Sequence, residues 1–303
     1  MKKSTLIVIV GPTAVGKTSV SIEIANYFNS EIISADSRQL YREMQIGTAV
    51  PSQEELEQVN HHFIQSHPLE TPISAGQYEK LAISLIENLF KKHDYLVLTG
   101  GSGLYVDAVT TGIDTSLPEA NVEIREKLET KLKKEGLSSL QEQLKSLDEK
   151  YYDQVDLSNS RRVIRALEVC LATGKTYSEL RNNQSKERSF DIIYVCLNRD
   201  RPELYERINT RVDQMMDQGL LSEVKSLIDK THLPSLNTVG YSELFDFIDN
   251  KTSQHEAIDL IKRNSRRYAK RQITWFKRND KYTWFHPNEI SSIIEHIKSQ
   301  KNI

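Results

Sequence analysis

The chain has 303 residues, of which 38% are hydrophobic, and carries a formal net charge of −2. That length and apolar content are sufficient for one large or two ordinary domains, and the balanced charge excludes a wholly polycationic nucleic-acid binder. The only cysteines, Cys170 and Cys196, lie in apolar stretches, which excludes a disulfide framework or a zinc cluster and suits a reducing cytoplasm.

The first apolar run, Leu6 to Val10, is too short for a secretory signal and reads as a core strand. It leads into Gly11-Pro12-Thr13-Ala14-Val15-Gly16-Lys17-Thr18 and then a helical pattern through Val20, Ile22, Ile24, Ala25 and Phe28. A second run, Glu31 to Ala35, ends at Asp36-Ser37, at the strand terminus that faces a ligand crevice. A polar, irregular stretch with Pro51 and His61-His62 follows, then a helix from about Ala75 to Lys92. Tyr95 to Thr99 reads as a buried parallel strand capped by Gly100-Gly101-Ser102-Gly103. From about Leu117 to Glu187 the pattern turns helical, with Leu128, Leu132, Leu137, Leu140, Leu144 and Leu147 as its expected core. Asp191 to Leu197 restores a strand, helices run to about Lys281, and Tyr282 to Phe285 and a helix from Glu289 to Lys298 close the chain.

This alternation predicts an α/β fold: a P-loop NTPase-like parallel sheet flanked by helices, with an inserted all-helical lobe. The expected division is a catalytic core of residues 1–116 and 188–303, ending in a basic helical region, and a helical insertion of residues 117–187. No internal repeat, low-complexity tract or membrane span is found.

The G-x-x-x-x-G-K-T spacing brings backbone N–H groups onto a diphosphate or triphosphate, with Lys17 reaching terminal oxygens and Thr18 set to hold Mg2+. In P-loop ATPases a later strand ends in an acid that helps hold the metal; here the strand ends Thr99-Gly100-Gly101, which weakens a motor or GTPase reading. The loop then suits a diphosphate that leaves as well as a nucleotide that donates phosphate. Asp36 is the candidate general base, with a role around magnesium or as a helix cap left open beside it. Arg207 and Arg211 share a helix face and either neutralise a departing phosphate or are solvated. His61-His62 is either a phosphate contact or a solvated pair.

From Lys262 to Lys281 there are nine Lys or Arg against the single acid Asp280. Arg263, Arg267 and Lys270 or Arg271 fall on one side of this helix, interleaved with Tyr268, Trp275 and Phe276. A second cluster, Arg161-Arg162-Val163-Ile164-Arg165, lies in the helical insertion, and together the two point to nucleic acid.

Six segments, GPTAVGKT (11–18), SADSRQLYREMQIGTAVP (34–51), GGSGLY (100–105), RALEVCLATGK (165–175), RVDQMMDQGLLSEV (211–224) and RRYAKRQITWFKR (266–278), together resemble the tRNA dimethylallyltransferase family in its bacterial form. The resemblance covers nearly the whole chain and implies a cytoplasmic enzyme that transfers a dimethylallyl group from dimethylallyl diphosphate to N6 of the adenine 3′ of the anticodon. It implies that Thr13 to Thr18 hold the diphosphate and that Asp36, Ser37, Arg38 and Gln39 surround the target base, Asp36 accepting its proton. It further implies tRNA contacts by Ser102, Arg125 and Arg161 to Arg165. Ser102 stands where the family more often has Thr, and Arg161 where it more often has Gln. Neither cysteine lies near the C-terminus, so the zinc-finger tail of eukaryotic relatives has no counterpart. A monomer is expected. The competing readings are a P-loop small-molecule kinase that binds ATP, a nucleic-acid-binding module without turnover, and an adenylate isopentenyltransferase acting on free AMP or ADP.

Overall fold

The computed structural model describes residues 3–114, 116–182 and 185–301. Met1, Lys2, Thr115, Asn183, Gln184, Asn302 and Ile303, over which the domain expectations also run, lie outside the described residues. The elements in chain order are β1 (Thr5–Val10), α1 (Lys17–Tyr27), β2 (Ile32–Ser34), α2 (Gln53–Gln58), β3 (His61–His62), α3 (Ala75–Leu89), β4 (Tyr95–Gly100) and α4 (Gly103–Thr110). Five helices follow: α5 (Val122–Glu135), α6 (Leu137–Leu147), α7 (Glu149–Tyr152), α8 (Ser160–Thr173) and α9 (Tyr177–Leu180). The chain continues with β5 (Asp191–Leu197), α10 (Arg201–Asp217), α11 (Leu220–Lys225), α12 (Tyr241–Ile248), α13 (Gln254–Phe276), β6 (Thr283–Phe285) and α14 (Ile290–Gln300).

Residues up to Thr111 and from Glu187 onward form one compact unit, and Gly112–Lys186 form another. The first is built on a six-stranded sheet of order β3-β2-β4-β1-β5-β6, parallel throughout. Its central strands bury both faces, so consecutive residues enter opposite cores. Leu6, Val8 and Val10 of β1 join α3 and α4 through Tyr78, Ala82, Ile86, Val106 and Val109. Ile7 and Ile9 meet Val20, Ile24 and Ala25 of α1 and Ile293 and Ile297 of α14 on the other side. Because β1 lies inside the sheet, the loop after it opens at the carboxyl edge, the ligand side of open α/β sheets.

The stretch read as irregular contains α2 and the edge strand β3, whose two residues pair with Ile32 and Ile33. A capping box, with Ser52 Oγ accepting from Glu55 N and Glu55 accepting from Ser52 N, starts α2. A two-residue strand has no readable alternation, which is why the pattern missed it.

The second unit is all-helical among its described residues, closed around Leu128, Leu140, Leu144, Tyr151, Val163, Ile164, Ala166 and Leu167. Leu132 packs against this core, whereas Leu147, expected inside, is 39% exposed at the end of α6. Cys170 and Cys196 are buried and free. Among the described residues no helix is long and apolar enough to cross a membrane.

At the end of β4, a Cβ on Gly100 would lie 2.3 Å from the backbone oxygen of Ala35. Gly100→Ala must push β2 and β4 apart at their carboxyl ends, and is expected to destabilise the protein by about 3 kcal/mol in urea denaturation.

Candidate active site

The phosphate loop joins β1 to α1, and its shape is set by Ala14 at φ 62° and Gly16 at φ 108°, conformations that turn successive amides inward. Lys17 Nζ curls back to donate to the carbonyls of Gly11 (3.1 Å) and Pro12 (2.9 Å). Three side chains from distant elements hold the outside of the loop. Arg199 Nε donates to Val15 O (2.8 Å) and Arg207 Nε to Ala14 O (2.9 Å). Gln272, buried on α13, accepts from Thr13 N (2.8 Å) through Oε1 and donates to Gly101 O (2.9 Å) through Nε2.

One strand away, Asp36 follows β2 and uses Oδ1 to accept from Arg38 N (2.9 Å) and Gln39 N (3.4 Å). It therefore closes its own turn, and since no helix starts there it is not the helix cap left open by the sequence; its carboxylate meanwhile lines the adjoining cavities. Ser102 Oγ accepts from Ser37 N (2.9 Å) and donates to Ser37 Oγ (3.0 Å), which fixes the turn to the start of α4. Gln39 Nε2 donates to Thr48 O (3.2 Å) and Ala49 O (2.9 Å), so its side chain holds a loop.

Two connected kinds of space meet at Asp36. A cavity of about 740 Å3 runs along Lys17, Thr18, Gln39, Arg207 and Arg211. A smaller chamber of about 120 Å3 is walled by Ile208, Val212, Met215, Val239 and Ile261. Thr13, Ala14, Asp36, Thr48, Arg211 and Tyr268 line both. The larger space faces the N-terminus of α1 and is lined by Lys17, Arg207 and Arg211 as well as by Asp36, Glu55 and Glu206; the smaller sets an apolar wall opposite a polar one.

Withdrawal from water is the main reason the Lys17 pKa falls to about 8; the Arg211 charge adds to the effect and the Asp36 charge opposes it. Burial also lowers the pKa of Arg211, against the opposing pull of Asp36, and its guanidinium remains a cation. Tyr268 is pushed up to about 12, first by burial and then by the Asp36 charge, so its phenol stays protonated and able to donate.

The donor set here is oxygen: the Thr18 hydroxyl and the Asp36 carboxylate border the larger cavity, and no cluster of three His, Cys, Asp or Glu suited to a metal occurs among the described residues. That set fits Mg2+, which keeps several waters and is held largely by its substrate's phosphates rather than by an all-protein cage.

Arg211 thus faces the cavity, half-buried, whereas Arg207 holds the loop through Nε and lines the cavity while remaining exposed. Arg263, Arg267, Lys270 and Arg271 are exposed on α13, as a polyanion surface requires. In the helical unit Arg161 and Arg162 are exposed, but Val163 and Ile164 are core residues, a correction to their expected RNA contact: an amphipathic helix turns its apolar positions inward. Arg125 Nη2 pairs with buried Glu168 Oε2 (2.6 Å), and Arg165 donates to Pro118 O (2.5 Å) and pairs with Glu168 (3.2 Å). Their guanidiniums are engaged inside that unit. His62 bonds Glu31 Oε2 (2.6 Å), matching neither reading offered for it, whereas His61 lines the larger cavity. Sequence reasoning missed Gln272, Thr48 and Arg199 as parts of the site. The one available signal was Gln272, an amide beside Lys270 and Arg271 in the basic stretch of α13.

The sequence matches the IPP transferase family over residues 39–279. It is 50% identical over 299 residues to tRNA dimethylallyltransferase 1 of Bacteroides fragilis, covering 99% of each chain. The solved tRNA isopentenylpyrophosphate transferase of Bacillus halodurans is 38% identical with a TM-score of 0.73, covering 99% of this chain and 97% of that one. A eukaryotic dimethylallyltransferase acting on tRNA shares the fold, with a TM-score of 0.78 at 24% identity over 98% of this chain and 77% of its own.

An anion bound beside Lys17 raises that residue's pKa back above about 8, so binding takes up a proton. Affinity for inorganic diphosphate is expected to fall as pH rises through about 8, approaching tenfold per unit above it. Calorimetric titration from about pH 7 to about pH 9.5, with Lys17→Met correcting for protonation of diphosphate itself, checks this; equal slopes would remove Lys17 from the anion site.

Proposed function

The chain belongs to the IPP transferase family, and we propose that it transfers a dimethylallyl group from dimethylallyl diphosphate to N6 of the adenine 3′ of the anticodon in tRNA, releasing diphosphate. One observation carries this reading: a phosphate-loop cavity that holds Lys17, Arg207 and Arg211 and a small chamber with an apolar wall share a single carboxylate, Asp36. The diphosphate takes the polar side, and the five-carbon group takes the wall formed by Ile208, Val212, Met215, Val239 and Ile261.

In the reaction the N6–C1 bond forms as the C1–O bond breaks, and the bonding pair leaves with the diphosphate. The charge that gathers on the bridging oxygen meets Lys17, Arg211 and the loop amides; one such donor is worth about 3 kcal/mol in a water-poor site. Mg2+, held by Thr18 and the diphosphate itself, adds charge neutralisation when bound. The amino group of adenine is a poor nucleophile until its proton is removed. Asp36 keeps Oδ1 on the turn amides and takes that proton on Oδ2, to which no hydrogen bond is directed among the described residues.

The base must leave its stack to reach Asp36, which costs a few kcal/mol. Phosphate contacts offset that cost, and the exposed cations Arg263, Arg267, Lys270 and Arg271 on α13 are suited to supply them, as are Arg161 and Arg162 in the helical unit.

The test is a transfer assay with purified protein, Mg2+, radiolabelled dimethylallyl diphosphate and unmodified tRNA, beside free AMP and an ATP-only control. Label is expected in tRNA; label in AMP would assign the protein to the nucleotide prenyltransferases, and ATP turnover alone to the kinases. Asp36→Asn is expected to keep tRNA affinity and lose at least about 100-fold in kcat, whereas near-normal turnover would remove Asp36 as base. Arg267→Ala should weaken tRNA binding and lower the slope of log affinity against log salt by about one, and an unchanged slope would return Arg267 to a solvated face.

A further inference from the structure

Glu223 lies on α11, outside both spaces at Asp36, yet its carboxylate collects four donors from two other segments. Oε2 accepts from the backbone amides of Gln45 (3.0 Å) and Ile46 (2.7 Å). Oε1 accepts from Gly47 N (3.0 Å) and from the Tyr241 hydroxyl (2.6 Å). Three consecutive amides turned onto one carboxylate form an anion nest, here filled by the protein's own side chain.

The segment so held forms a wall of the site. Gly47 and Thr48 line the small chamber, and Thr48, Ala49, Val50 and Pro51 line the large one. The carbonyls of Thr48 and Ala49 receive the Gln39 side chain, and the Gln39 amide is one of the two donors on Asp36 Oδ1. Gly47 also sits flat on the Tyr241 ring, where an added Cβ would lie 2.5 Å from a ring carbon. The buried Tyr241 thus meets the segment through both its ring and its hydroxyl. The phosphate loop is held separately, by Arg199, Arg207 and Gln272.

From this geometry we infer that Glu223 is a positioning residue for the acceptor side of the reaction: its carboxylate sets the 45–49 segment, and through Gln39 the Asp36 turn, without touching substrate. The inference rests on the transferase reading. Because the phosphate loop, which carries Lys17, has its own supports, loss of the latch should slow the chemical step and leave the loop's hold on the diphosphate in place.

Glu223→Gln turns an N–H2 group towards donors that need an acceptor. It is expected to lower kcat for tRNA prenylation about 30-fold, the size of effect that a displacement of an ångström or less produces, with KM for dimethylallyl diphosphate unchanged within about threefold. Glu223→Asp, which keeps the charge, is expected to recover part of the loss. Tyr241→Phe keeps the ring and removes one of the four donors; it is expected to lower kcat about fivefold with KM for the diphosphate unchanged, and it decides the matter if the Glu223 variants do not fold. A folded Glu223→Gln or Tyr241→Phe enzyme with kcat within about twofold of wild type overturns the inference, as does a loss carried by KM for the diphosphate. Wild type in the same assay separates the two failures: with no label in tRNA from wild type, the transferase reading falls and takes this inference with it.

Discussion

Two backbones come closer at the end of β4 than any side chain would allow. A Cβ on Gly100 would lie 2.3 Å from Ala35 O, and one on Gly101 would lie 2.3 Å from Gln272 Nε2. This approach lets the end of β2 and the last turns of α13 both dock on the same strand terminus. Asp36 is then carried to the phosphate loop by β2, and Gln272 is carried to Thr13 by α13. Nucleotide hydrolases of related architecture place an acid at the end of such a strand. Here that space is filled by main chain and an amide, so the acid of this site comes from the neighbouring strand instead.

The polar groups around the loop divide into those that hold it and those that face the cavity. Arg199, Arg207 and Gln272 give hydrogen bonds to, or take them from, the loop backbone, and Ser102 does the same for the Asp36 turn. Arg211, Thr18 and the Asp36 carboxylate line the open space. Such a division favours a site arranged before substrate arrives, the condition under which fixed charges and dipoles stabilise a leaving diphosphate without reorganising. Burial of Lys17, with the Arg211 charge adding to it and the Asp36 charge opposing it, also explains why Lys17 loses its proton more readily than a surface lysine.

The helical unit follows the same logic on a smaller scale. Its buried Glu168 collects Arg125, Arg165 and the Asn121 amide (2.6 Å), a set that satisfies a charge removed from water. The arginines left exposed, Arg161 and Arg162, lie one turn earlier on α8, beside its Asn159 cap. A five-residue cluster that looks uniform in sequence thus contains two exposed cations, two core residues and one guanidinium engaged within the unit.

Much of this protein was legible along the chain. The strand β1, the phosphate loop and α1 are contiguous, and their period of two followed by a period near 3.6 follows from local backbone geometry. The same holds for β4, β5 and the long basic helix, and Asp36 was found because strand ends are local features too. Other parts came only with the tertiary structure. The edge strand β3 is two residues long and has no pattern of its own. Gln272 reaches a partner 259 residues away, and Glu223 one 178 residues away. Which face of Arg161 to Arg165 is buried depends on what α8 packs against. Sequence alone determined the longer elements and the residue types each one carries, because those follow from interactions between near neighbours in the chain. Which side chains hold the site and which face the substrate was decided by packing, since a hydrogen bond between distant residues exists only once the sheet has brought them together.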